Sequence, residues 1–72
     1  MSFKYVKING SIADEAGCGA REGDRLFVDT DRRPGAGDLV LVAAGGVKKL
    51  RRWSPEPGQQ LVGTVIALKR KL

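Results

Sequence analysis

The chain is short and basic, with 72 residues, a formal net charge of +5, one cysteine and no histidine. A chain of this length forms one small domain whose folding removes only about 60% of its unfolded surface from water, so we expect oligomerisation to supplement its core. The single cysteine, Cys18, excludes an internal disulfide, and without histidine we expect no metal site and no cofactor. No run of about eighteen apolar residues is present, which predicts a cytoplasmic protein that does not act at a membrane.

Alternation and turn residues predict a β-rich chain. Residues 3–8 alternate as an opening strand, and residues 11–16, where a serine is followed by Asp14 and Glu15, predict one helical turn. Further strands are expected at residues 25–29, 38–43, 46–52 and from 60 to about 69. The predicted fold is therefore mostly β, a small coiled sheet or partly open SH3-like barrel with at most one short helical turn.

Two Gly-Asp pairs predict turns before strands, and one apolar run predicts a central strand. Gly23-Asp24 and Gly37-Asp38 each precede an apolar run, since glycine permits the turn and aspartate hydrogen-bonds within it. The run at residues 61–68 is apolar on both faces, which predicts a central strand covered from both sides. Gly63 is expected to mark a bend or bulge that lets the sheet coil.

The order of four motifs resembles a known family. These are Gly-Asp-x-Leu-x-Val-Asp at 23–29, Pro-x-x-Gly-Asp-Leu-Val-Leu-Val at 34–42, Val-Lys-Lys-Leu at 47–50 and Gly-Thr-Val-Ile at 63–66. Over about residues 5–68 the chain looks like the carboxy-terminal domain of LexA-type repressors and UmuD-type proteins, which are Ser-Lys self-cleaving peptidases. The resemblance implies a single LexA-like β domain over residues 1–72, in which 69–72 form a basic tail.

The resemblance also implies a catalytic pair. Lys48 falls on the family's lysine, and Ser11 is the best match to its serine, although it lies thirteen residues before Asp24 where the family has nine or ten between them. A lysine takes a proton only when neutral, which burial favours, and Lys48 shares a strand face with Leu50. The alternatives are that Ser11 caps a turn and that Lys48 is solvated.

The departures from the family pattern favour a domain that has kept the fold and lost the activity. We expect a non-catalytic protein-interaction or dimerisation module of phage or SOS-type transcription regulation, without a DNA-binding head, whose partner is a second copy or another protein. The alternative implied by the same resemblance is an active Ser-Lys self-cleaving peptidase.

The distribution of charge suggests a second alternative, a small β-barrel that binds nucleic acid. Residues 45–72 contain seven basic side chains against one acidic side chain. If the last two strands are neighbours, these cations form one patch suited to phosphates and stacked bases. The candidate binding residues are Lys49, Arg51, Arg52, Trp53, Lys69, Arg70 and Lys71. The same charges also suit a merely solubilising surface.

Overall fold

The structure, a computed structural model, describes residues 2–70, which form six strands and no helix. The strands are β1 (Phe3–Lys7), β2 (Ile12–Asp14), β3 (Arg25–Asp29), β4 (Leu39–Ala44), β5 (Val47–Arg52) and β6 (Gln60–Lys69). They build one mixed sheet that curls into a half-barrel, so the prediction of a small, coiled, partly open β fold is confirmed.

The order of strands across the sheet is β1-β3-β6-β4-β5-β2. All neighbours are antiparallel except β2 and β5, which run parallel. Five strands lie where the sequence places them, to within two residues at each end. The β4–β5 hairpin turns through Gly45 and Gly46, whose φ angles of 59° and 79° suit the mirror-image turn that matches strand twist.

The helical turn expected within residues 11–16 is not formed, and that expectation is wrong. Residues 12–14 instead form β2, which lies against β5, and the Glu15 N–H donates to the Leu50 carbonyl at 2.9 Å. Ile12 packs against the core at the same place. A lone helical turn fixes several residues for one hydrogen bond, whereas pairing with an existing strand satisfies the backbone and buries an apolar side chain as well.

The core lies on the inner face of the curled sheet. Its buried side chains come from β1 and the residue after it, β3, β4 and β5, and Ile12, Cys18, Ala20, Val62, Val65 and Leu68 pack around them. Its buried members are Val6, Ile8, Leu26, Val28, Leu41 and Leu50. Alternation along β1, β3, β4 and β5 therefore sends alternate side chains to this face and the others to the outer face. In β6 the register shifts break the alternation, and its core residues are three apart.

The outer face is covered at one end only. Val40 and Val42 point away from Leu41 and are fully buried, and their partners across β5 are Arg51 and Lys49, whose long stems can lie over them. The loop after β3 also lies against this end of the sheet. It is held there by the hydroxyl of Thr64 on β6, which donates to the Arg32 carbonyl at 2.9 Å. Within residues 2–70, the outer face of β1 and β3 has no such cover, so its side chains are available to a partner.

Strand β6 occupies the interior position predicted for residues 61–68. Its second face is only partly covered, because Leu61 and Ile66 are 36% and 44% exposed. The register slips once against β3 and once against β4, so β6 has an extra residue on each side of Gly63. The expected irregularity at Gly63 is thus present as two bulges that flank it.

Candidate functional sites on the sheet

The segments that carry Ser11 and Lys48 lie side by side. Ile12 is directly opposite Lys48 in the parallel pair of β2 and β5, so Ser11 comes one residue before the register partner of the lysine. The Ser11 hydroxyl and its N–H both donate to the Asn9 side-chain oxygen. Within residues 2–70 no hydrogen bond joins Ser11 to Lys48. The structure therefore brings the two segments together without joining the two side chains.

Lys48 is exposed although Leu50, on the same face, is buried. Lys48 is the second residue of β5 and lies beside the β4–β5 hairpin turn. Ser11 is exposed as well. Burial is what favours the neutral amine that could take a proton from serine, and Lys48 lacks that burial here.

The cations in the middle of β5 are paired with acidic side chains. The Lys49 ammonium and the Arg51 guanidinium both lie 3.3 Å from the Glu15 carboxylate. The Arg51 guanidinium also donates two hydrogen bonds, of 2.7 and 2.9 Å, to the Glu56 carboxylate. These bonds raise the pKa of Arg51 and lower the pKa of the Glu56 carboxyl. Much of the positive charge expected from this strand is therefore compensated locally.

The remaining candidates for a basic patch are dispersed. Strand β4 lies between β5 and β6, so the neighbouring arrangement on which a single patch depended is not found. Arg52 is exposed and leans toward the Gly37 carbonyl, 3.5 Å away, while Lys69 and Arg70 stand at the far end of β6. Lys71 lies outside the described residues.

Trp53 contributes to a groove beyond the end of β5. The groove has a volume of about 450 Å³, and Trp53 shares its lining with Leu61, the buried Pro34 and the loop after β3. The Trp53 backbone is held to the Gly37-Asp38 turn by an N–H donated to the Asp38 carbonyl at 2.7 Å. Trp53 is half-buried and thus packs against this loop as well as lining the groove.

Sequence reasoning missed a cluster on the outer face of β1, β3 and β6. Lys7, Arg25 and Lys69 are direct register neighbours, and one step along the strands Tyr5 contacts Phe27 edge to face, with ring centroids 5.4 Å apart. These residues lie on three strands that are distant in sequence, so only the strand order brings all of them together. Alternation within β1 was the one available signal, because it places Tyr5 and Lys7 on one face.

Asp14 is a second residue whose role the sequence did not reveal. Its carboxylate accepts N–H groups from Cys18, Gly19 and Ala20 at 3.1–3.3 Å, and the Cys18 thiol also donates to it. Burial opposes the charged form of Asp14, but these hydrogen bonds outweigh it and lower the pKa of the carboxyl. Burial and the neighbouring carboxylate raise the pKa of the Cys18 thiol, which makes it a poor nucleophile.

Residues 2–70 show neither a metal-binding cluster nor a membrane-spanning helix. No three of their histidine, cysteine, aspartate or glutamate side chains are grouped so as to hold a metal ion. This part of the chain also has no helix with the length and apolar character needed to cross a membrane.

Comparison of the chain with protein-family models, with curated proteins and with solved structures finds no match. The resemblance to LexA-type and UmuD-type domains accordingly rests on the order of the four motifs alone.

Proposed function

We propose that the chain is a non-catalytic LexA-like domain that acts as a protein-interaction module by forming a homodimer, in the cytoplasm and in phage or SOS-type regulation. The four ordered motifs support the family assignment. The open edge of the sheet at β1 is the observation that carries the interaction role, because a sheet edge binds a further strand through backbone groups that are otherwise unpaired.

The hydrogen-bond pattern shows which groups of β1 are available. The Thr30 N–H donates to the Ser2 carbonyl at 2.9 Å, and the Ile8 N–H donates to the Asp24 carbonyl at 2.8 Å. In an antiparallel ladder, alternate residues bond to the same neighbour, so the even-numbered residues of β1 face β3. The N–H and C=O groups of Phe3, Tyr5 and Lys7 therefore point to the open edge.

The proposed partner at this edge is a second copy of the chain. Phe3 and Tyr5 are 56% and 52% exposed, and a small domain gains core from association. An isologous antiparallel pair centred on Tyr5 places Tyr5 opposite its own copy and Phe3 opposite Lys7. Such a dimer continues the sheet across both copies. The outward backbone groups of β1 in each copy then form hydrogen bonds with β1 of the other copy.

Replacing Tyr5 by proline tests this dimer. Tyr5→Pro removes an N–H that points outward and leaves the ladder to β3 intact, which is the arrangement in which edge strands tolerate proline. Sedimentation velocity from micromolar to millimolar concentration is expected to show a monomer–dimer equilibrium for the natural chain and a monomer for Tyr5→Pro. Tyr5→Leu, which keeps the N–H, is the matched control and is expected to dimerise. A natural chain that stays monomeric throughout, or a dimeric Tyr5→Pro, would contradict the proposal.

A Ser-Lys peptidase is the second candidate function, and the parallel register that sets Ile12 opposite Lys48 is the observation in its favour. Because Ser11 is bonded to Asn9 and Lys48 is exposed, we expect no labelling of the chain by a fluorophosphonate probe and no self-cleavage on prolonged incubation. Mass spectrometry measures both. Labelling that disappears in Ser11→Ala and also in Lys48→Ala would make the chain an enzyme.

A further inference from the structure

The outer face of β1, β3 and the end of β6 carries a row of three cationic side chains. Lys7 lies opposite Arg25, and Arg25 lies opposite Lys69. Residues directly opposed in antiparallel strands share a face of the sheet, so the three side chains project to the same side. With neighbouring strands about 4.8 Å apart, the row extends about 10 Å across the sheet.

Within residues 2–70, no acidic side chain neutralises the charges of this row. All three side chains are exposed, and the ion pairs formed in this part of the chain involve Lys49 and Arg51 instead. Glu22 shares a shallow pocket of about 430 Å³ with Lys7 without pairing to it. The row differs in this from Lys49 and Arg51 of β5, which form ion pairs with Glu15.

Aromatic rings lie directly beside the row. Tyr5 is two residues before Lys7 on β1, and Phe27 is two residues after Arg25 on β3, so both rings share the face of the cations. The two rings meet edge to face with an interplanar angle of 81°. The Tyr5 side chain, on a residue 52% exposed, is available for further contact.

We infer that Tyr5, Lys7, Arg25, Phe27 and Lys69, here called the basic–aromatic face, bind single-stranded nucleic acid. The cationic row contacts successive phosphates, and an unpaired base stacks on Tyr5. A duplex offers the same phosphates, but its bases are stacked on each other. It would therefore contact the cationic row and leave Tyr5 without a base to stack on. An acidic peptide likewise uses the row and leaves the aromatic rings without a role.

This binding site goes beyond the proposed self-association and is compatible with it. Dimerisation uses the backbone edge of β1, whereas the basic–aromatic face uses side chains that project from the sheet. Tyr5→Leu separates the two, because it keeps the edge N–H and removes the stacking ring.

Fluorescence anisotropy with a fluorescein-labelled oligothymidylate of about twelve nucleotides tests the inference. Three phosphate contacts on a single strand give an expected slope of log affinity against log salt of about −2, at about −0.7 per contact. Arg25→Gln is expected to weaken binding and to bring the slope to about −1.4. Tyr5→Leu is expected to weaken binding by about 5- to 150-fold with little change in slope, since stacking releases no counterions.

The chain offers two matched controls. Lys4→Gln removes one charge from the same strand on the opposite face, and Arg33→Gln removes one from the groove beside Trp53. Both are expected to leave the slope unchanged. The inference is overturned by absent binding at low salt, by equal affinity for a duplex of the same length, by equally effective competition from polyglutamate, or by controls that weaken binding as much as Arg25→Gln. Unchanged affinity in Tyr5→Leu, with circular dichroism showing it folded, would also overturn it.

Discussion

Asp14 shows how one side chain shapes a segment that has no regular structure. It ends β2, and its two carboxylate oxygens accept N–H groups from the loop that follows, at Cys18, Gly19 and Ala20. The glycines of this loop adopt left-handed φ angles of 67° and 77°, which bring the backbone around the carboxylate. Charge-assisted hydrogen bonds to Asp14 therefore hold this loop, together with the packing of Cys18 and Ala20 against the core.

Asp14→Asn is expected to lower the free energy of unfolding at neutral pH by about 1–2 kcal/mol, because the amide keeps one acceptor oxygen and loses the charge. Since the pKa of Asp14 lies below its ordinary value of 3.8, its stabilising contribution is present above that value. That contribution is lost as the pH falls through the lowered pKa. Urea denaturation at neutral and acidic pH measures both effects.

Glu22→Gln is the control for this prediction. Glu22 is exposed, and its carboxylate forms no hydrogen bond or ion pair within residues 2–70. It is expected to change the free energy of unfolding by less than about 0.5 kcal/mol. A difference between Asp14→Asn and the natural chain that persists undiminished in acid would show that the charge of Asp14 is not what holds the loop.

Among the elements, β6 has a glycine at a position where a neighbouring strand lies very close. It pairs with both β3 and β4, and at Gly63 the neighbouring strand leaves no room for a side chain. A methyl group there would meet the Val28 side chain and stand only 2.8 Å from the Asp29 carbonyl oxygen. Because Gly63 has no side chain, β3 can lie close to β6 between the two bulges.

Gly63→Ala is accordingly expected to destabilise the domain by about 3 kcal/mol, as in other overpacked cores. Gly10→Ala is the matched control, since no atom lies within 4 Å of its added methyl group and its φ angle is not positive. Thermal or urea unfolding of the two variants measures the difference. Equal stability would show that β3 and β6 can move apart at little cost.

At the scale of the whole molecule, the half-barrel has two edges of different character. The β2 edge is only three residues long, whereas the β1 edge has five residues and two exposed aromatic side chains. A domain of this size has a stability of about 4–11 kcal/mol, so covering one edge by association is a substantial addition. Pairing through β1 would also set two copies of the basic–aromatic face next to each other.

Much of the fold was predictable because its signals are local. The alternation in β1, the Gly-Asp turns before β3 and β4 and the apolar run of β6 each lie within a few residues of chain. Strand β2 escaped prediction because three residues carry too little pattern, and because its partner β5 is distant in sequence. The residues after Ser11 resemble the start of a helix, but they pair with β5 instead.

The candidate sites were less predictable than the fold. The sequence places Ser11 and Lys48 among possible partners, and the register does bring their segments together. An exposed Lys48 was one of the two alternatives that the sequence left open, because alternation along a strand does not show which of its residues the core covers. The row of Lys7, Arg25 and Lys69 depends on three strands meeting in one register, which no local pattern encodes.

By itself the sequence determined the positions of most strands, the turns between them and the positive net charge, because these follow from the preferences of adjacent residues. Only the tertiary structure decided that β4 separates β5 from β6, that Glu15 and Glu56 pair with Lys49 and Arg51, and that three cations and two aromatic rings meet on β1, β3 and β6. The physical reason is that strand order and register arise from long-range backbone pairing around a shared core, and this pairing sets which side chains become neighbours.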